Sequence, residues 1–315
     1  MSSPVAPSLS SETRPSKGEG LSLWEYVSFT IVHTLVAGLL SVLSLGGLYR
    51  LGRLFGTLEW LVNYRRRRRF GAALRNVLGH KPMAAQRRRA TREFFMRHRC
   101  DRLFYLIFDC LPRDKALALF SIENKDLLDS ALTRGRGVYL AMSHHGPYHV
   151  AGMFLAMHGY KVAAVRDRRE GGIRRYIQGR FDRLYPEFQR MRVIFEDSFP
   201  REIYRCFHEG FVLGSAMDVR RVRRAGQKAE EVTIFGEKRQ FLTGPLHIAL
   251  RCRTPVVQAF ILPERGFHYR LQIVGMLADP EDVKDEAAAV GEAVRTYAAN
   301  VERFVRASPS LLSRL

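Results

Sequence analysis

Cysteine and tryptophan are scarce in this 315-residue chain, which has four of one and two of the other. Cys100, Cys110, Cys206 and Cys252 are widely spaced and form no Cys-x-x-Cys pair, which excludes a zinc ribbon and a dithiol redox motif and leaves four reduced thiols. Acidic residues are outnumbered as well: 31 Asp and Glu stand against 51 Lys and Arg, for a formal charge of +20. Such an excess calls for an anionic partner, whether a phospholipid surface, a phosphorylated glycolipid, an acidic carrier protein or nucleic acid. No recognition-helix or RNA-binding motif accompanies it, so nucleic acid is not the expected partner.

Charge is missing altogether between Tyr26 and Tyr49. That run is slightly longer than the roughly 20 residues a helix needs to cross a bilayer core. It has no convincing small-residue cleavage site and continues straight into Arg50 and Arg53, which argues for a retained anchor over a signal peptide. A buried core helix is the alternative, but apolar residues surround the whole helix instead of forming one stripe. Arg50, Arg53 and the run Arg65 to Arg69 all follow the segment, so the positive-inside tendency places the rest of the chain on the cytoplasmic side. Residues 1–20, rich in Ser, Pro and Gly, read as a mobile tail. Residues 21–56 read as a membrane-anchoring helix, and 57–315 as one catalytic domain without internal repeats.

The domain shows an α/β pattern. Gly137 to Met142 is a short apolar run of the kind buried on both faces of a parallel sheet. Pro147 suits a first helical position and Gly159 a helix stop, after which Val162 to Val165 makes a second strand. Phe211 to Met217 and Thr254 to Leu262 are further strands, and His268 to Val274 an edge strand in a hairpin around Gly266. Helices are expected over Tyr64–Leu78, Arg87–Leu111, Asn124–Arg134, Arg168–Leu184 and Leu246–Leu250. A last one has Asp279 as its cap and Pro280 at its first position. The fold class is therefore a mostly parallel central sheet flanked by helices, and ligands of such sheets gather at the carboxyl ends of the strands.

At one such end lies Ser143-His144-His145-Gly146-Pro147-Tyr148-His149, with three imidazoles in seven residues. Before it lies Arg65 to Asn76, an arginine-rich helix ending in Asn76-Val77, and after it come Val165-Arg166 and Gly214-Ser215-Ala216-Met217-Asp218. Phe235-Gly236, Thr243-Gly244-Pro245 and Pro255-Val256-Val257 complete the series. In order and spacing these landmarks resemble the late acyltransferases of lipid A biosynthesis, within the lysophospholipid acyltransferase superfamily, over about residues 24 to 306. That branch typically carries Asn-His-Phe-Gly-Asn-Trp-Glu where this chain has residues 143–149. His149 thus stands where the acid belongs, and Ser308 to Leu315 does not match the usual Trp- and Arg-rich ending.

The resemblance implies transfer of a fatty acyl chain from an acyl carrier protein or coenzyme A thioester to a hydroxyl of a lipid A precursor or related glycolipid. No bound cofactor is implied, and the setting would be the cytoplasmic face of a bacterial inner membrane. His144 is the candidate base and His149, in the acid's place, its candidate orienter. Asp218 is the first choice for a replacement carboxylate ahead of Asp167 and Glu170, although His145 or His149 acting as base with His144 as orienter is also open. Arg166, Arg220, His145 and Gly146 are candidate substrate contacts, Arg166 because guanidinium matches phosphate bidentately. A helix starting at Pro147 would aim its free amides at the turn as oxyanion donors. A metal hydrolase using His145, His149 and Asp218 is a rival, weakened because Gly146-Pro147 keeps the two imidazoles off one helical face. A catalytically impaired binding or scaffold protein on the same fold is the other, prompted by the absent acid.

Overall fold

A computed structural model describes residues 22–78, 84–166, 172–195, 200–218 and 228–313. The expected 1–20 tail lies outside the described residues, as do Asp167, Glu170 and Arg220. In chain order the elements are α1 (Leu23–Val42), α2 (Leu45–Val62), α3 (Tyr64–Leu78), α4 (Ala84–Ile107), α5 (Arg113–Ala118), β1 (Phe120–Glu123), α6 (Lys125–Leu132) and β2 (Val138–Met142). There follow α7 (Ala151–Met157), β3 (Val162–Arg166), α8 (Gly172–Leu184), α9 (Pro186–Gln189), β4 (Arg192–Phe195), α10 (Arg201–His208) and β5 (Val212–Ala216). The chain continues through β6 (Ala229–Ile234), β7 (Glu237–Leu242), α11 (Gly244–Arg251), β8 (Val256–Pro263), β9 (Tyr269–Ala278) and α12 (Glu286–Ala307).

Seven strands form the central sheet in the order β1-β9-β8-β2-β5-β3-β4. All neighbours pair in parallel except β8 and β9, which form the antiparallel hairpin around Gly266. β2 sits near the middle and all five of its residues are buried. Val138, Leu140 and Met142 face one apolar cluster and Tyr139 and Ala141 the other, which is the two-sided burial read from the sequence. The strand from His268 is not the sheet edge, however: β1 pairs outside β9, register Phe120↔Tyr269. β1 and β4 are four-residue strands too short to give a period, and β6 pairs with β7 in a separate two-stranded sheet turning at Phe235-Gly236.

The apolar amino-terminal run is not one helix. It breaks at Leu43, and Ser44 starts a second helix, its hydroxyl accepting from the Gly47 N–H at 3.1 Å. Of the described helices, α1 is long and apolar enough to cross a membrane, with 20 residues. α2 buries Leu48, Gly52, Gly56 and Trp60, every fourth residue, against α4. Its glycines let the backbones touch: a Cβ on Gly56 would lie 2.4 Å from the Met96 Cα.

α3 buries Phe70, Leu74 and Val77 as expected. Part of its arginine run turns inward, since Arg66 pairs with Glu59 at 2.8 Å and Arg67 lies over the Trp60 ring at 5.2 Å. The last helix starts later than expected. Asp279 pairs with Arg134 and accepts from the Glu281 N–H, closing a turn of its own, and Asp285 caps α12 through the Ala287 N–H at 2.9 Å.

Candidate active site

The register of two strands builds the site. β2 and β5 run parallel from Val138↔Val212 to Met142↔Ala216, so two residues past each end His144 stands beside Asp218. The Met217 N–H bonds to the Met142 carbonyl at 3.2 Å and carries the pairing into the loops. Glycine is required in the turn that follows: Gly146 has φ +78° and a Cβ there would lie 2.8 Å from the Ile261 carbonyl oxygen of β8.

Asp218 keeps 11% of its side-chain surface exposed and collects three donors. The Ser143 hydroxyl donates to Oδ2 at 2.8 Å, the His144 backbone N–H reaches the carboxylate at 3.0 Å, and His144 Nδ1 lies 2.7 Å from Oδ1. Burial alone would raise this carboxyl's pKa, but the hydrogen bond and electrostatic pull of His144, with the Ser143 hydroxyl, outweigh it and hold it below the ordinary aspartate range. An ionised Asp218 is acceptor-only, so Nδ1 of His144 must carry the proton. That fixes the tautomer and leaves Nε2 as the basic nitrogen. The His144 side chain keeps 11% of its surface exposed.

The neighbouring imidazole is differently placed. His145 is buried, its Nδ1 accepts from the Ser313 N–H at 3.2 Å, and its Nε2 faces Asp218 Oδ2 at 3.7 Å. Burial, more than the opposing pull of Asp218, lowers its pKa and keeps it neutral. Both ring nitrogens are thus directed at the protein, which suits neither a metal ligand nor a base for substrate. For His145 the exchange of roles with His144 finds no support in this geometry, because both its ring nitrogens are engaged within the protein.

His149 occupies the acid's place in the motif, but the carboxylate on His144 comes from Asp218. The His149 ring packs 4.7 Å from that of Tyr105 and 5.7 Å from that of Tyr148, while Tyr148 meets the His144 ring edge-on at 4.8 Å. Pro147 does not start an α-helix: Tyr148–Val150 is a 3-10 turn and α7 begins at Ala151. The Gly146 N–H donates to the Leu311 carbonyl at 2.8 Å. The expected fan of free amides at Pro147 is therefore not present in that form, because a 3-10 turn and the carboxyl-terminal segment intervene. Arg166 ends β3, paired with Phe195 of β4, at the same carboxyl edge of the sheet.

Three partners escaped the sequence reading. Ser143 is a donor to Asp218, and the segment after α12 straps the turn, with Leu311 bonded to Gly146 and the Ser313 hydroxyl donating to the His144 carbonyl. Tyr297 of α12 holds the end of β2 through its hydroxyl, which donates to the Met142 carbonyl at 2.7 Å. None of these contacts has a local sequence signal, since each joins residues far apart in the chain.

The fold is thus a mostly parallel α/β sheet with an Asp-held histidine at the carboxyl tip of a central strand, the edge where ligands of such sheets gather. The model of the bacterial lipid A biosynthesis acyltransferase family matches residues 24–311. The chain belongs to that family, whose activity is acyl transfer to a lipid. No curated protein matches it.

Proposed function

We propose that the protein is a membrane-associated O-acyltransferase that moves a fatty acyl chain from an acyl carrier protein or coenzyme A thioester to a hydroxyl of a lipid A precursor or related glycolipid. It works at the cytoplasmic face of a bacterial inner membrane. The observation that carries the reading is the 2.7 Å contact from His144 Nδ1 to Asp218. Nε2 takes the acceptor hydroxyl's proton as the oxygen attacks the thioester carbonyl. Collapse of the tetrahedral intermediate then breaks the C–S bond, and the imidazolium returns the proton to the departing thiolate. While His144 is cationic, the Asp218 carboxylate stabilises it, as a triad aspartate stabilises its histidine.

The arginine excess supports an anionic acceptor or carrier. Arg166 at the end of β3, and His145 and Gly146 after β2, stand at the carboxyl edge of the sheet, where such a substrate would lie. The scaffold alternative rests on the absent acid at 149, and Asp218 supplies a carboxylate from the adjacent strand. Incubating the purified protein and its His144→Ala variant with labelled acyl thioester and a panel of membrane lipids tests the reading. Transfer by the native chain alone supports it; transfer by both, or by neither, sinks it.

A further inference from the structure

α1 is long enough to cross a bilayer, yet it is fastened lengthwise to the domain. Its Tyr26 and Phe29 rings meet Tyr176 of α8 edge-on at 5.8 and 5.3 Å. One turn on, His33 Nε2 lies 2.9 Å from Asp109 Oδ1, and Arg180 of α8 donates from Nε to Asp109 Oδ2 at 2.6 Å. Val36 is buried in the core cluster that includes Cys100 and Phe104 of α4, and Leu40 packs against it. The inner face at 29, 33, 36 and 40 thus runs almost the whole helix. Cys110 Sγ lies 3.8 Å from His33 Nε2, but the Arg180 guanidinium already occupies the position a cation would take between His33 and Asp109.

The opposite face is apolar and open, with Val27, Ile31, Leu35, Leu39 and Val42 all exposed. α2, which follows at once, also exposes apolar side chains, Leu54, Leu58 and Leu61. Arg50 on α2 and Arg65, Arg68 and Arg69 at the start of α3 are exposed in the same stretch of chain. If α1 crossed the bilayer, His33 near its middle would bring Asp109 and Arg180 with it to the hydrocarbon centre. Each such charge costs about 2.5–3.5 kcal/mol on insertion scales, before the rest of α8 and α4 is counted. Lying in one leaflet, the same helix buries its open face among acyl chains, leaves the ion pairs on the protein side and sets the arginines among anionic headgroups, where each is worth about 1 kcal/mol.

We infer that α1 and α2 form one docking surface for the cytoplasmic leaflet of an anionic bilayer, and that α1 does not span it. The inference rests on the membrane association proposed above and replaces the crossing helix expected from the sequence. It is tested with the full chain in bacterial membranes, using single added cysteines at Ser10, ahead of α1, and at Lys238 on the exposed β6–β7 hairpin. Each is labelled with a membrane-impermeant maleimide against the background of the unmodified chain. Both sites are expected to label in inside-out vesicles and neither in spheroplasts. Labelling of Ser10→Cys in spheroplasts, with Lys238→Cys labelling only in inside-out vesicles, would show a crossing helix and overturn the inference while leaving membrane association intact. A chain that does not remain with the membrane fraction would remove the association itself, and the inference with it.

A second measurement addresses α2. Leu58→Glu is expected to lower the fraction floating with phosphatidylglycerol-containing vesicles severalfold, and Leu127→Glu, on α6, to leave it unchanged. Equal flotation of both variants would remove α2 from the surface.

Discussion

Two residues beyond the ends of paired parallel strands, His144 and Asp218 meet through a hydrogen bond of 2.7 Å. The aspartate is 74 residues from the imidazole in sequence but next to it in space, because β5 is the immediate neighbour of β2 in the sheet. Position 149 carries an imidazole, and the carboxylate on His144 comes instead from the neighbouring strand.

Asp218→Asn keeps the shape of that contact and removes its charge. Replacing the acid in a serine-protease triad costs about 10⁴-fold, so a fall in kcat of roughly 10² to 10⁴ is expected, with KM for the thioester little changed. His149→Gln should cost less than the ~10² that marks loss of a general acid or base. Steady-state acyl transfer measured side by side decides it. A larger loss at His149 than at Asp218 would return the orienting role to the motif position.

The turn itself sets a second expectation. At Gly146, φ +78° costs a residue with a side chain about 1–2 kcal/mol, and a Cβ would press on the Ile261 carbonyl at 2.8 Å. Gly146→Ala should therefore lower the unfolding midpoint and displace His144 enough to reduce kcat. Retention of both would show that the turn relaxes freely.

How much of this was legible beforehand differs by length scale. β2, β3, β5 and β8 were readable as short, largely apolar runs, of which β2 and most of β8 are buried on both faces, and Asp218 was placed at the sheet edge by the run before it. β1 and β4 were not, being four residues long and flanked by helices. The break at Leu43-Ser44 was hidden because hydropathy is blind to a cap: Ser44 is a small interruption in an apolar run until its hydroxyl is seen on the Gly47 N–H. Asp279-Pro280 looks like a helix start, but Arg134, distant in sequence, recruits that carboxylate. The Ser313 and Leu311 contacts to the catalytic turn depend wholly on tertiary placement.

Two glycines offer a contrast in packing. Gly56→Ala forces a Cβ to 2.4 Å from the Met96 backbone, and overpacking of this kind costs typically about 1–3 kcal/mol. Gly38→Ala on α1 meets nothing within 4 Å and gains up to about 1 kcal/mol of helix propensity. Thermal unfolding in detergent should place the two on opposite sides of the native chain. The same sign for both would mean that α2 does not pack on α4 through Gly56.

A last expectation concerns a carboxyl far from the site. Asp101 of α4 accepts a hydrogen bond from the Tyr269 hydroxyl at 3.0 Å, joining α4 to β9, and burial pushes its pKa up to about 7. In the unfolded chain an aspartate titrates near roughly 3.9. Between these two values the folded protein holds a proton that the unfolded chain has released, so this group's contribution to stability declines as pH rises from about 4 to about 7 and levels off above. Asp218 acts in the opposite sense, since its pKa is depressed: its contribution is present above the unfolded aspartate pKa and fades as pH falls through its own lowered value. Asp101→Asn keeps a hydrogen-bonding group but cannot titrate. Its stability in urea should therefore vary less between about pH 5 and pH 7.5 than that of the native chain, and the two curves should diverge most at the upper end. An identical pH slope in the variant would mean that Asp101 titrates normally and that water reaches it in the folded protein.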